Sequence, residues 1–302
     1  MNYPQQVTII EVGPRDGLQN ESVFVPTEKK VEFINLLSCT GLKNIEVTSF
    51  VSPKAIPQLA DGVEVYQKIK KEDAIHYSAL VPNEQGMQRA LEAQVKHIAV
   101  FTAASNTFNQ RNINCTIAES LERIAPIVVK AKEKNIYVRA YISCVLGCPY
   151  EGTITPKQVI EVTKQLLRMK VDEISFGDTI GVGTPKQTFE LIKALDNCLP
   201  FSQVAMHFHD TYGQALANIY TSLQCGIARF DSSVAGLGGC PYAQGATGNV
   251  ATEDVLYMMH GLGIETGVDI YKVVAAGEKI CTLIGRKNQS KVANALLGNP
   301  CS

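Results

Sequence analysis

Val204-Ala205-Met206-His207-Phe208-His209-Asp210 is a short apolar run that ends in two histidines and a carboxylate. Val204 to Phe208 reads as a strand. Side chains two apart on a strand share a face, so His207 and His209 project together while Phe208 packs behind them. A helical stretch from Gly213 to Gln224 follows, then a second apolar strand from Arg229 to Ser233. Outward from this unit the same alternation fills the chain. Earlier strands are read at Val7–Val12, Asn44–Phe50, Ile75–Val81, His97–Thr102, Tyr137–Ser143 and Glu173–Phe176. Helices are read at Thr27–Leu37, Pro57–Lys71, Asn83–Ala93, Thr116–Lys134, Thr155–Met169, Thr184–Leu195 and Thr252–His260. Thr155-Pro156 supplies an N-cap and a first-turn proline. Gly13-Pro14-Arg15-Asp16-Gly17 and the polar Ala104–Asn114 stretch read as loops.

Eight short apolar strands alternating with helices, without a linker, predict a one-domain α/β fold, a (β/α)8 barrel (TIM barrel) spanning 1–302. A helical tail from about Val268 to Ser302, patterned at Ile270–Ile284, is expected beside it. The competing doubly wound sheet lacks its Gly-x-Gly-x-x-Gly turn after the first strand.

The 302 residues are 45% hydrophobic and 19% charged, enough apolar content for a large core. A net charge of −1 gives no electrostatic footprint for nucleic acid or for an anionic membrane. Nine cysteines without metal-finger spacing favour reduced thiols over a disulfide framework. Cys144 and Cys148, with three residues between them, read as structural. No signal segment, transit peptide or long uncharged apolar span is present, so the chain reads as soluble and cytoplasmic.

A barrel of this kind carries its functional groups at the C-terminal ends of its strands. Arg15 and Asp16 follow the first strand, Glu46 lies in the second and Asp178 ends the sixth. His207 and His209 are on the seventh, and Asn249 follows the eighth. Unpaired charges are costly in or beside apolar strands, and a central cation would offset much of that cost. Carboxylate, imidazole and amide oxygen without thiolate suit Mg2+ or Mn2+, with Zn2+ or Co2+ as alternatives. Singly, these residues have plainer readings: core histidines, a local Arg15–Asp16 ion pair, and loop-capping by Glu46 and Asp178. Their shared place at the rim is what favours a joint site. Glycines 236, 238, 239, 245 and 248 surround Cys240, giving a segment that can approach a ligand closely and hinge over it. Cys240, mostly protonated at neutral pH, is either an ordinary thiol or a proton donor.

Gly236-Leu237-Gly238-Gly239-Cys240-Pro241-Tyr242-Ala243 and Gly245-Ala246-Thr247-Gly248-Asn249-Val250-Ala251-Thr252-Glu253-Asp254 resemble the signature of the 3-hydroxy-3-methylglutaryl-CoA lyase family. Gly13-Pro14-Arg15-Asp16-Gly17-Leu18-Gln19-Asn20 and His207-Phe208-His209-Asp210 resemble it as well, and the likeness covers nearly the whole chain. The wider group holds metal-dependent barrel enzymes such as isopropylmalate and homocitrate synthases. The resemblance implies cleavage of 3-hydroxy-3-methylglutaryl-CoA to acetyl-CoA and acetoacetate, a step of leucine breakdown. It implies a divalent cation held by Asp16, His207, His209 and Asn249, substrate contact through Arg15, and catalysis by Cys240. Glu46 and Asp178 match further active-site positions, and Arg111 and Asn112 fall where the family meets the CoA moiety. Family habit implies a homo-oligomer, a dimer. The competing functions are a Claisen-type synthase, a cousin lyase on another hydroxyacyl-CoA, and a catalytically silent scaffold. The synthases usually carry an extra C-terminal regulatory region.

Overall fold

Eight short parallel strands close on one another in chain order in the computed structural model, which describes residues 3–52, 54–239 and 248–298. They are β1 (Thr8–Glu11), β2 (Asn44–Ser49), β3 (His76–Leu80), β4 (His97–Ala103), β5 (Tyr137–Ser143), β6 (Glu173–Asp178), β7 (Val204–Phe208) and β8 (Arg229–Ser232). β1 pairs with both β2 and β8, so the sheet has no edge. The (β/α)8 barrel is the fold, and the open doubly wound sheet is ruled out.

Around it run α1 (Thr27–Ser38), α2 (Gly62–Lys68), α3 (Glu84–Glu92), α4 (Asn106–Ile113), α5 (Ile117–Glu133), α6 (Pro156–Arg168), α7 (Pro185–Leu195), α8 (Ala215–Gln224) and α9 (Thr252–Gly261). Helices α5, α6 and α7 start at reciprocal caps. Thr116, Thr155 and Thr184 each accept the N–H three residues on, and Glu119, Gln158 and Gln187 return the bond.

Alternation along the strands sorts the side chains. Val138, Ala140, Ile142, Ile174, Phe176, Val204, Met206, Phe208 and Phe230 belong to the main apolar cluster that the helices cover. The alternate positions of β5 to β8 fill the barrel with Arg139, Tyr141, Glu173, Ser175, His207 and Asp231, all buried. Barrel interiors are ordinarily layered with branched apolar residues. A charged interior is therefore the first structural sign of a site.

Three segments differ from the sequence reading. The expected loop at Ala104–Asn114 contains α4: Ser105 Oγ accepts the Phe108 N–H at 3.1 Å, Phe108 is buried, and Asn114 closes the helix at φ +51°. Its exposed polar face hides the helical period. The expected Pro57–Lys71 helix is a short 3₁₀ turn at Pro57–Leu59 and then α2. Gly62 begins α2 where a Cβ would lie 2.5 Å from the Ser49 carbonyl, so β2 and this helix meet backbone to backbone. Gly13–Gly17 is one wide helical turn, closed by Gly17 N–H on the Val12 carbonyl at 3.2 Å.

Beyond the barrel, α10 (Ile270–Ile284) packs against α1, α9 and the turn at Val234–Gly236, and α11 (Lys291–Gly298) packs against α9. Among the described residues no helix is long and apolar enough to cross a membrane, and every described cysteine is a free thiol.

Candidate metal centre

His207 and His209 leave β7 on the same face, as strand alternation requires, with ring centroids 5.2 Å apart. The turn after β1 brings Asp16 to them past the one intervening strand, β8. One ligand atom from each of Asp16, His207 and His209 can be chosen so that all three lie within 4.8 Å of one another. Asn249 joins the group through Asp16: its Nδ2 donates to Asp16 Oδ2 at 2.9 Å and to the Leu237 carbonyl at 3.2 Å. The three expected charged or imidazole ligands therefore converge, and the fourth expected ligand meets them with its amide nitrogen.

Electrostatics sets the protonation of this cluster. Burial opposes ionisation of Asp16, but the Arg15 guanidinium, the two imidazoles and the Asn249 amide hold its carboxyl below the usual carboxylate range. Burial, then the neighbouring His207, pushes the His209 imidazole down to about 4. The cluster thus offers an anionic carboxylate and, at His209, a neutral ring with an available lone pair. His209 Nδ1 is buried and has no hydrogen-bond partner among the described residues. A buried ring nitrogen without a partner, beside an ionised carboxylate and a second imidazole, is what a missing ligand partner leaves behind.

Arg15 is buried, ion-paired to Glu46, and bonded to Asp16 Oδ1 at 2.5 Å. Glu46 also accepts the Tyr141 hydroxyl at 3.0 Å. Below His207 the barrel holds a column of charge. Asp231 Oδ2 lies 3.1 Å from His207 Nδ1 and accepts Ser175 Oγ at 2.9 Å, and its Oδ1 is 2.5 Å from Arg139 Nη2. Glu173 lies between Arg139 at 2.8 Å and Arg229 at 2.5 Å. Asp16, Glu46, Glu173 and Asp231 face Arg15, Arg139 and Arg229, one more carboxylate than guanidinium. A divalent cation suits this donor set in charge and in chemistry.

A cavity of about 910 Å³ opens from the cluster. Arg15, Asp16, Tyr141, His207 and His209 line its inner end, Leu80, Phe101 and Ile142 its wall, and Asn20, Phe24, Asn112 and Arg123 its outer part. Other expected site residues stand elsewhere. Asp178 is fully buried and caps the turn after β6, accepting Val182 N–H at 3.2 Å and Gly183 N–H at 2.9 Å. Burial pushes its carboxyl up to about 6 against those bonds. Arg111 is exposed on α4, its guanidinium 4.3 Å over the Tyr150 ring. Cys240 lies outside the described residues.

The sequence reading missed Arg139, Tyr141 and Asp231. Their signal was available, since a charged or hydroxyl-bearing residue at alternate positions of an apolar strand marks the inward face. Arg123 carried none, as one of several cations on a surface helix.

The HMGL-like family model matches residues 6–280. A Pseudomonas aeruginosa protein named 3-hydroxy-3-isohexenylglutaryl-CoA/hydroxy-methylglutaryl-CoA lyase is 56% identical over 297 residues, covering 98% of this chain and 99% of its own length. The crystal structure of hydroxymethylglutaryl-CoA lyase from Pseudomonas aeruginosa matches with a TM-score of 0.97 at 55% identity, covering 99% of each chain. An HMG-CoA lyase from Acinetobacter baumannii, solved with coenzyme A and 3-methylmalate, matches with a TM-score of 0.93 at 36% identity, covering 98% of this chain and 96% of that one.

Proposed function

The chain belongs to the HMGL-like family, and on that premise we propose that it cleaves 3-hydroxy-3-methylglutaryl-CoA to acetyl-CoA and acetoacetate, as a divalent-cation-dependent step of leucine breakdown. The observation that carries this reading is the convergence of Asp16, His207 and His209 at the inner end of a cavity large enough for an acyl-CoA head. In this reading the whole chain is one catalytic domain.

Asp16, His207 and His209 would hold the cation, with Asn249 completing the set once its amide turns its oxygen inward. When bound, a divalent cation polarises the hydroxyl and carboxylate oxygens of the substrate and lowers the pKa of that hydroxyl. Asp16, or a water that it orients, takes the tertiary hydroxyl proton, with Glu46 and Asp178 as the supporting candidates. The oxygen collapses to a ketone, the bond between C2 and C3 breaks, and the electron pair passes into the thioester as an enolate. Arg15, fixed by Glu46 and Asp16 rather than free to reorient, stabilises the enolate oxygen. Cys240 gives its thiol proton to C2, completing acetyl-CoA. Glu46 and Tyr141 support Arg15, and Asp178 supports the rim by holding the turn at 181–183. Asn112 lines the outer cavity, and Arg111 stands on the same helix; the two serve the CoA moiety.

Free thiols at the described cysteines support a reducing, cytoplasmic setting. A longer substituent at C3 is a second reading, supported by the apolar wall of Leu80, Phe101 and Ile142 beside the cluster. Incubation with 3-hydroxy-3-methylglutaryl-CoA and Mg2+ should release acetoacetate. Failure to do so, with condensation of acetyl-CoA onto an α-keto acid instead, would identify a synthase.

A further inference from the structure

Every carbonyl of the backbone from Ala235 to Gly239 accepts a hydrogen bond from outside the segment. Gln289 N–H bonds the Ala235 carbonyl at 3.1 Å, and Arg286 Nη2 bonds that of Gly236 at 3.0 Å. Asn249 Nδ2 bonds Leu237 at 3.2 Å, and Asn20 Nδ2 bonds Gly239 at 3.1 Å. Both terminal nitrogens of Arg286, Nη2 and Nη1, reach the Gly238 carbonyl more loosely, at 3.4 and 3.5 Å.

Two of these donors, Arg286 and Gln289, belong to the link between α10 and α11, outside the barrel. The chain reaches that place because Gly285 ends α10 at φ +65°, a left-handed turn that glycine adopts without strain. Arg286 N–H then bonds the Cys281 carbonyl at 2.9 Å, and its guanidinium is ion-paired to Glu21. One side chain therefore ties together the Asn20-Glu21 loop, the Gly236–Gly238 backbone and the C-terminal extension. A planar fork with five donors, spread over two terminal nitrogens, suits two carbonyls and a carboxylate at once.

The opposite side of the same backbone meets the cation site. Asn249 bonds both the Leu237 carbonyl and Asp16. The fit there is tight: a Cβ on Gly238 would lie 2.7 Å from Asn249 Nδ2, and one on Gly248 would lie 2.4 Å from the Gly238 carbonyl oxygen. A shift of the 236–238 backbone cannot be absorbed in such a contact, so it passes to Asn249 and from there to Asp16.

We propose that Arg286 is a positioning residue for the cleavage reaction: it latches the Gly236–Gly238 backbone and so sets the placement of Asn249 and Asp16. The C-terminal extension is by this account a working part of the site. The catalytic half of the claim rests on the lyase reading, whereas the latch itself can be read without substrate.

The test uses the full chain with Mn2+ bound and compares wild type, Arg286→Gln and Arg286→Lys. The Gly236 and Leu237 amides, bonded to the Ser233 and Val234 carbonyls, report the latch by hydrogen exchange. In Arg286→Gln they should exchange at least about tenfold faster while β4 and β5 amides keep their wild-type rates. For the same variant kcat should fall about 10- to 100-fold with KM within about threefold, and Arg286→Lys should recover only part. Unchanged exchange at 236–237, a uniform rise across the barrel, or kcat within about twofold of wild type would overturn the proposal. If Arg286→Gln does not fold, Glu21→Gln decides it: faster local exchange and a kcat about three- to tenfold lower support the latch, and wild-type behaviour overturns it. A wild type that leaves the substrate intact would sink the lyase reading, while the exchange result would still judge the latch.

Discussion

His207 and Asp231 are register partners across β7 and β8, and the imidazole Nδ1 lies 3.1 Å from the Asp231 carboxylate. Burial opposes ionisation of Asp231, but Arg139 and His207 hold its carboxyl below its ordinary value. A carboxylate at Nδ1 fixes the proton there and leaves Nε2 for a cation, the arrangement that orients many metal-binding histidines. Asp231→Asn should weaken Mn2+ binding about 10- to 100-fold. It should also lower stability by about 3 kcal/mol, because Arg139 loses a buried charge partner. Mn2+ titration and urea unfolding read the two effects separately, and unchanged Mn2+ affinity would remove Asp231 from the orienting role.

Among the described residues, Asp16 is the one carboxylate in the cluster with both imidazoles, and it carries that cluster's negative charge. Asp16→Asn keeps its shape and removes the charge, so Mn2+ affinity should drop at least about tenfold while the fold stays intact. Calorimetric titration giving a wild-type affinity would place the cation elsewhere.

Cys240 has a different task in this account, proton donation rather than ligation. Cys240→Ser should therefore keep Mn2+ affinity and lose about 100-fold or more in kcat, because a serine hydroxyl is a far poorer acid. Full turnover in that variant would exclude the thiol as the donor.

Two buried carboxyl groups each contribute stability that falls as pH rises. Glu11 accepts the Gly13 and Val234 N–H groups and the Thr252 hydroxyl, and Glu253 accepts the Ala235 N–H. Burial pushes Glu11 up to about 7 and Glu253 up to about 8 against those bonds. A carboxyl whose folded pKa is raised binds its proton more tightly in the folded state. Its stabilising contribution is complete below the unfolded value and is lost as pH rises through the folded one. Between pH 4.5 and 8, urea stability of wild type should therefore fall relative to Glu253→Gln. Parallel curves for the two proteins would contradict the buried-acid assignment.

Much of this was legible in the chain. The eight strands, the Thr155 cap of α6, and the shared face of His207 and His209 follow from local periods and spacings that hold without knowledge of the rest. What could not be read depends on contacts across the barrel. Arg139 and Asp231 are 92 residues apart and meet because β5 and β8 face each other across a closed sheet. The plainer reading of Asp178, a loop-capping carboxylate, describes its contacts, because its oxygens turn to the N–H groups at 182 and 183 rather than to the cavity. α4 was hidden because Phe108 and Ile113 are its only apolar residues, and the second position it buries is the polar Asn109. The role of the C-terminal link was hidden for a related reason: an arginine after a glycine shows nothing of the carbonyls it will reach.

The most direct test of a cation-dependent cleavage at Asp16, His207 and His209 is acetoacetate release from 3-hydroxy-3-methylglutaryl-CoA, measured after exhaustive chelation and again after adding back Mg2+ or Mn2+. The account predicts no acetoacetate from the chelated protein and recovery of turnover with either ion. Undiminished release from the chelated protein would contradict it.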